Sequence, residues 1–112
     1  MSYTIKSKLW IEANGTIILG EGRVQLLKAI EKEGSLSAGA KSIGMSYKKA
    51  WKLMDNLNKN AFKPVLITSK GGSGGGGAEI TLYGKELIKQ FEAMKEECWK
   101  HLKESEGRLK NL

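Results

Sequence analysis

Cysteine, histidine and proline are almost absent from this chain of 112 residues, each occurring once, as Cys98, His101 and Pro64. A single cysteine excludes an internal disulfide and a cysteine-based zinc site, and it is typical of a reducing compartment. No carboxylate pair, nucleophile with a base, or metal-ligating cluster is evident in the sequence. We therefore predict that the protein is not an enzyme and holds no metal or cofactor.

Long hydrophobic runs are also missing. No stretch reaches the roughly 18 apolar residues that a membrane-spanning helix needs, and the first residues lack the apolar core of a secretory signal. Hydrophobic residues nevertheless make up 40% of the chain, which is enough for one domain with a modest core. We expect a cytoplasmic protein without a membrane partner.

Acidic residues are scarce in the middle of the chain. The formal net charge is +7, and residues 41–70 hold seven lysines against one acid, Asp55. A solvated lysine-rich surface usually intersperses glutamates, as residues 83–112 do. Because clustered cations attract phosphates, the segment predicts an anionic partner, with nucleic acid as the leading candidate.

The first 34 residues predict a β-hairpin followed by a helix. Two short β-rich runs flank Asn14-Gly15, and both residues tolerate the positive φ of a tight hairpin turn. Apolar residues then recur at helical spacing over 21–33. Gly34 is a suitable helix stop.

Residues 35–60 predict two more helices joined by a tight turn at Gly44. Ser35 and Ser46 are suitable N-caps. We expect the apolar positions of both helices to be buried, with Trp51 in the core. For Tyr47 the choice between packing in the core and reaching phosphate with its hydroxyl is left open. The apolar positions are Leu36, Ala40 and Ile43 in the first helix, and Tyr47, Ala50, Trp51, Met54 and Leu57 in the second.

The segment GGSGGGG separates two short strand-like runs, VLITS and AEITL. A nucleotide-binding loop would end in Lys-Ser/Thr and lead into a helix, and neither condition holds here. A domain linker does not suit the short remainder of the chain, most of which belongs to one helix. We interpret the glycines as a hairpin tip, either a bare surface loop or a backbone that approaches another molecule closely.

The order of elements is hairpin, three helices, strand, glycine loop, strand and long helix. This order predicts a winged helix-turn-helix, mainly α with a small β component (α+β). We assign residues 1–82 to the winged helix-turn-helix unit and 83–112 to a C-terminal dimerisation helix of the same single domain.

The motifs GSLSAGAKSIGMSYKKAW, GGSGGGGA and ITLYGKEL resemble the DNA-binding domain of the ModE family of molybdate-responsive transcriptional regulators, over roughly residues 8–100. The helix-turn-helix portion is also similar to that of LysR-type regulators. The resemblance implies a homodimeric regulator that binds a palindromic operator in double-stranded DNA. Full-length family members carry C-terminal molybdate-binding domains. The sequence ends at Leu112, so we expect no such domain here. Whether a separate partner chain senses an effector is left open.

DNA contacts are expected from the third helix, the second helix and the glycine loop. Lysine donates to guanine O6 and N7 or pairs with phosphate; our hypothesis places Lys48 and Lys49 on base edges and Lys52 on the backbone. Bare amides at the glycine tip can donate to phosphate. The predicted DNA-binding residues are Ser37, Ser46, Tyr47, Lys48, Lys49, Lys52, Lys70, Gly72, Ser73 and Gly74.

The long last helix carries an apolar stripe that is too long for one small domain to cover. Burial against a second copy gives a two-fold dimer that matches two DNA half-sites. Within the stripe, Cys98 is expected to act as a small buried hydrophobe. The predicted dimerisation residues are Leu87, Phe91, Met94, Cys98 and Leu102.

Two other classes share parts of this pattern. A non-specific nucleic-acid-binding or architectural module would have the same charge distribution. A protein-interaction module would bind its partner through the long helix, and the lysines would serve only as a solvated surface. The sequence does not identify the operator, the target genes or the direction of regulation.

Overall fold

The computed structural model describes residues 2–69 and 76–112. Within them it is a mixed α+β fold of four helices and two separate two-stranded antiparallel sheets. The elements in chain order are β1 (Trp10–Ala13), β2 (Thr16–Gly20), α1 (Glu21–Glu33), α2 (Leu36–Ser42), α3 (Tyr47–Asn60), β3 (Leu66–Ser69), β4 (Gly77–Ile80) and α4 (Leu82–Leu109).

The first hairpin turns at Asn14 and Gly15, as the sequence predicts. Both residues have positive φ, 54° and 75°, the combination that a tight two-residue turn requires. Ala13 pairs with Thr16 across the turn. Strand β2 then leads directly into α1 and brings Ile18 and Leu19 into the core.

Helix α1 has the predicted bounds, and Gly34 ends it with a φ of 84° and an N–H that donates to the Ile30 carbonyl oxygen at 2.8 Å. Ser35 caps α2 by accepting a hydrogen bond from the Ala38 N–H at 3.0 Å. The prediction that Ile43 is buried is wrong. It lies just past the end of α2 and is 39% exposed, because the helix stops before its periodicity can turn that position inward.

Helices α1 and α2 approach each other closely at Gly39. A β-carbon at this position would lie 2.8 Å from the backbone nitrogen of Ile30 and 2.9 Å from its Cα. We therefore expect Gly39→Ala to push the helices apart and to lower the free energy of unfolding by about 2 kcal/mol, measured by urea denaturation.

Gly22→Ala is the matched control for that substitution. Gly22 is also helical, in the first turn of α1, but a β-carbon there meets no atom within 4 Å. Alanine should raise stability at this site by up to about 1 kcal/mol through its better helix propensity. Equal urea midpoints for Gly39→Ala and the unsubstituted protein would show that the helices separate without cost.

The β3–β4 hairpin is tied at its base to both α3 and the α1–α2 junction. The Asn58 side-chain amide donates to the Leu66 carbonyl oxygen at 2.8 Å, and its oxygen accepts the N–H groups of Val65 and Leu66. The Ala78 N–H donates to the Gly34 carbonyl oxygen at 2.9 Å. These bonds fix the direction in which the hairpin leaves the core.

Helix α4 begins at Leu82, one residue before the predicted boundary, because Thr81 caps it instead of extending β4. The Thr81 hydroxyl accepts the Gly84 N–H at 2.9 Å and donates to the Pro64 carbonyl oxygen at 2.7 Å. At 28 residues the helix is about 42 Å long. It exceeds the width of the core, and the chain measures 64 × 29 × 22 Å.

Only the first half of α4 packs into the core, through Gly84, Ile88 and Phe91. Three exposed ion pairs link this helix to α1: Lys28 with Glu92 at 2.6 Å, Lys95 with Glu21 at 2.8 Å, and Lys85 with Glu31 at 3.8 Å. The hydrogen bond that the Lys95 ammonium donates to the Glu21 carboxylate raises the pKa of Lys95. The second half of α4 extends beyond the core, where the Ile5 N–H donates to a Glu106 carboxylate oxygen at 3.0 Å.

Candidate nucleic-acid interface

A set of four lysines lies on α2 and the first half of α3, one on α2 and three on α3. Its four side chains are exposed, and in the described ranges none lies within 4.0 Å of a carboxylate. The nearby acid on α3, Asp55, is paired with Lys59 at 2.8 Å. Surface charges without a partner keep their full field for an incoming anion. We call this surface the lysine face: Lys41, Lys48, Lys49 and Lys52.

The start of α3 is set by Ser46, as predicted. Its hydroxyl oxygen accepts the Lys49 N–H at 3.2 Å, so Lys48 and Lys49 project from the first turn of the helix. The Ser46 hydroxyl is exposed and keeps its own hydrogen for donation. Ser37 and Tyr47 are exposed as well. Of the predicted contacts on α2 and α3, the structure brings Ser37 and Tyr47 to one groove, and Ser46, Lys48, Lys49 and Lys52 are exposed at and near the start of α3.

The prediction that Trp51 belongs to the core is wrong. Its side chain is 50% exposed, whereas Ala50, Met54 and Leu57 are buried. A helix advances about 100° per residue, so Trp51 lies one turn above Tyr47 at the edge of the apolar stripe. Tyr47, whose burial the sequence left open, is 56% exposed.

These two aromatic side chains border an open groove of about 580 Å³ between α2, α3 and the β3–β4 hairpin. Sequence reasoning missed this groove, because its members come from three distant segments. One signal was available in the sequence: the side chains of β3 alternate between its two faces, and Leu66 points inward. This alternation could have predicted that the hairpin forms one side of the groove. The groove residues are Ser35, Leu36, Ser37, Tyr47, Trp51, Thr68, Ser69, Gly76 and Gly77.

The predicted hairpin tip, with Lys70, Gly72, Ser73 and Gly74, lies outside the described residues. The described part of the hairpin brings Ser69 and Gly77 to the edge of the groove, where the Gly77 N–H donates to the Ser69 hydroxyl at 3.3 Å. The contacts expected from the tip stay predictions.

The stripe on α4 divides into a buried part and an open part. Phe91 is 1% exposed within its own chain's core, and Leu87 packs partly against that core. Met94 is 38% exposed. Cys98 is exposed in the single chain because the core ends before the helix reaches it; its burial against a second copy stays a prediction.

Residues 4–9 lie beside the open part of α4. Leu102 is half-buried there, and Leu9 packs partly against the core. Trp99 is 54% exposed, with the Lys103 ammonium 4.9 Å from its ring centroid. The outer half of α4 therefore presents apolar surface that one copy of the chain covers only in part.

Neither a metal centre nor a membrane span is found in the part of the chain that the structure describes. Groups of three or more histidine, cysteine, aspartate or glutamate side chains suited to a metal ion do not occur over residues 2–69 and 76–112. No helix in these ranges is long and apolar enough to cross a membrane.

The fold and the site define a small α+β domain with an uncompensated cationic helical face beside a hairpin. No protein-family model matches the chain. It is 36% identical over 94 residues to the molybdenum transport protein ModE of Azotobacter vinelandii, covering 84% of this chain and 35% of that protein. It is 42% identical over 72 residues to the DNA-binding transcriptional dual regulator ModE of Escherichia coli K12, covering 64% and 28%.

A third relative is the molybdenum-pterin-binding protein MopB of Rhodobacter capsulatus, 42% identical over 76 residues, covering 68% of this chain and 28% of that protein. The chain is related to the ModE and Mop proteins, and it spans about a third of the length of the relatives it matches. The names of these relatives are those of a transport protein, a transcriptional regulator and a molybdenum-pterin-binding protein.

Proposed function

We propose that this chain is a sequence-specific, ModE-like transcriptional regulator that binds a palindromic operator in double-stranded DNA as a homodimer. The observation that carries the proposal is the lysine face, four exposed cations without carboxylate partners in the described ranges. Such a surface gains affinity from a polyanion by releasing its condensed counterions. The name of the Escherichia coli relative, a DNA-binding transcriptional regulator, supports the same function.

In this proposal residues 1–82 form a winged helix-turn-helix, with α2 and α3 as the two helices of the motif. Helix α3 enters the major groove and presents Lys48 and Lys49 to base edges. Lys52, further along the same helix, meets the phosphate backbone. Hydroxyl groups on α2 and α3 add phosphate contacts that set the orientation of the protein on the duplex; they belong to Ser37, Ser46 and Tyr47.

The β3–β4 hairpin acts as the wing. Its base is fixed to α3 through Asn58 and to the α1–α2 junction through Gly34, which supports a defined approach to the backbone beside the major groove. We assign the tip contacts to the amides and side chains predicted from the sequence, Lys70, Gly72, Ser73 and Gly74.

The homodimer forms through the open part of α4. Met94, Cys98 and Trp99 are exposed apolar or weakly polar side chains on a helix that extends beyond its own core. Covering them with the same surface of a second copy gives a two-fold axis, and two α3 helices related by that axis fit two half-sites. Residues 83–112 would then serve dimerisation.

Binding-site selection from a random duplex library, with purified protein at physiological salt, tests the function. We expect enrichment of a two-fold symmetric motif with half-sites about one helical turn apart. Retention of bulk DNA without enrichment would instead indicate a non-specific or architectural module. Failure to retain DNA would leave an interaction module that works through α4.

A further inference from the structure

The half-exposed indole of Trp51 has no role in the recognition scheme above. The Trp51 side chain is 50% exposed, whereas Ala50 and Met54 on the same helix are at most 3% exposed. A tryptophan in this position removes a large apolar area from water only when something else covers it. The scheme of lysines and hydroxyls provides no such cover.

The surroundings of Trp51 combine apolar and hydroxyl groups. Leu36 and Thr68 lie with it in the groove between α2, α3 and the hairpin. The same three residues also line a smaller recess together with Asp55, whose carboxylate is paired with Lys59 at 2.8 Å. Ser37 and Tyr47 line the same groove. An apolar surface flanked by hydroxyl donors is complementary to a chain that alternates an apolar unit with an anion.

A DNA strand is such a chain, because each deoxyribose stands between two phosphates. The charge near the site fits the same occupant. Lys48 and Lys52 do not line the groove, but they lie on the same helix, about 100° further round its axis than Tyr47 and Trp51. In the described ranges neither has a carboxylate partner. Hydroxyl groups are also among the side-chain donors that commonly contact phosphate and sugar.

We propose that the groove seats one sugar–phosphate strand of the bound duplex, with the Trp51 indole packed on a deoxyribose and the Ser37, Tyr47 and Thr68 hydroxyls donating to the adjacent phosphates. This inference rests on the proposed function. It makes Trp51 a source of affinity that does not depend on the base sequence, unlike Lys48 and Lys49.

Fluorescence of a protein with one tryptophan tests the contact. The variant Trp10→Phe/Trp99→Phe leaves Trp51 as the only tryptophan, and it is titrated with a labelled duplex recovered from the random library. We expect a blue shift of emission and at least twofold weaker quenching by acrylamide on binding. The matched control, Trp51→Phe/Trp99→Phe, leaves Trp10, which is 48% exposed on β1, and its quenching should not change.

Affinity separates a sugar contact from a base contact. Trp51→Ala should weaken binding about tenfold to a hundredfold, by the same factor for the enriched duplex and for a scrambled one. Trp10→Ala should change neither, and thermal melting checks that both variants are folded. A loss confined to the enriched duplex would mean that Trp51 touches a base, which overturns the inference.

The two proposals fail in different ways. Binding seen by anisotropy of the labelled duplex, with Trp51 quenching unchanged, overturns the sugar contact and leaves the DNA-binding function intact. Absence of binding to either duplex, even at low salt, overturns both.

Discussion

Replacing Lys48 and Lys49 together by alanine should reduce affinity for the enriched duplex by about a thousandfold. Both side chains are exposed in the first turn of α3 and, in the described ranges, lack a carboxylate partner. A dimer loses four such lysines. At roughly 1 kcal/mol for each base contact the loss is about 4 kcal/mol, or three orders of magnitude. Fluorescence anisotropy of labelled duplex at fixed salt measures it.

The salt dependence of binding distinguishes base contacts from phosphate contacts. If about six to eight phosphates are neutralised per dimer, the logarithm of the wild-type affinity should fall with a slope near −5 to −7. Loss of base contacts at Lys48 and Lys49 should lower the preference for the enriched over the scrambled duplex. Lys52→Ala should weaken both duplexes equally and flatten the slope by about 1.8.

Lys28→Ala/Lys32→Ala is the charge-matched control for the double lysine variant. It removes the same two charges per protomer from α1, where Lys28 is paired with Glu92 at 2.6 Å. We expect less than about a threefold change in affinity, since these charges act only at long range. Equal losses in both double variants would mean that net charge, not the position of α3, determines binding.

The sequence predicted the helices well because their ends depend on local chemistry. Ser35 and Ser46 cap α2 and α3 with their own hydroxyls, and Gly34 ends α1 in the left-handed conformation. Asn14-Gly15 specifies its turn in the same way. Each of these signals lies within a few residues of the feature that it determines, so no knowledge of the remaining fold is needed.

The exposure of Trp51 and Ile43 could not be predicted in this way. Residue spacing places a side chain on a helix face, but the width and the end of the core are set by other segments. Trp51 is exposed because β3 and α2 leave a groove beside α3. Cys98 is exposed in the single chain because α4 extends beyond the core. The groove of the candidate site was the hardest feature to predict from the sequence, because it combines residues from α2, α3 and the β3–β4 hairpin.

Placing two carboxylates on the open part of α4 should convert the protein to a monomer and cost about two to four orders of magnitude in DNA affinity. In Met94→Asp/Leu102→Asp, each charge enters the apolar surface that the proposed dimer buries. Burying unpaired carboxylates is far more costly than leaving the interface open. Two half-sites then bind independently, and the gain from linking them, on the order of 10²–10⁴, is lost.

Light scattering at micromolar concentration measures the oligomeric state, and anisotropy with the enriched duplex measures the binding. The control, Ala93→Asp/Lys100→Asp, adds two carboxylates to exposed positions away from the stripe and should stay dimeric with little change in affinity. Circular dichroism shows whether each variant keeps its helices.

The two measurements together test how dimerisation and DNA binding are linked. A monomeric variant that binds a single half-site weakly would mean that residues 1–82 recognise DNA alone and that α4 supplies only the second half-site. A variant that is monomeric yet binds with wild-type affinity would contradict the two-fold model of the operator. If the unsubstituted protein is itself monomeric at micromolar concentration, the apolar surface of α4 has another partner, and the lysine face must bind DNA one copy at a time.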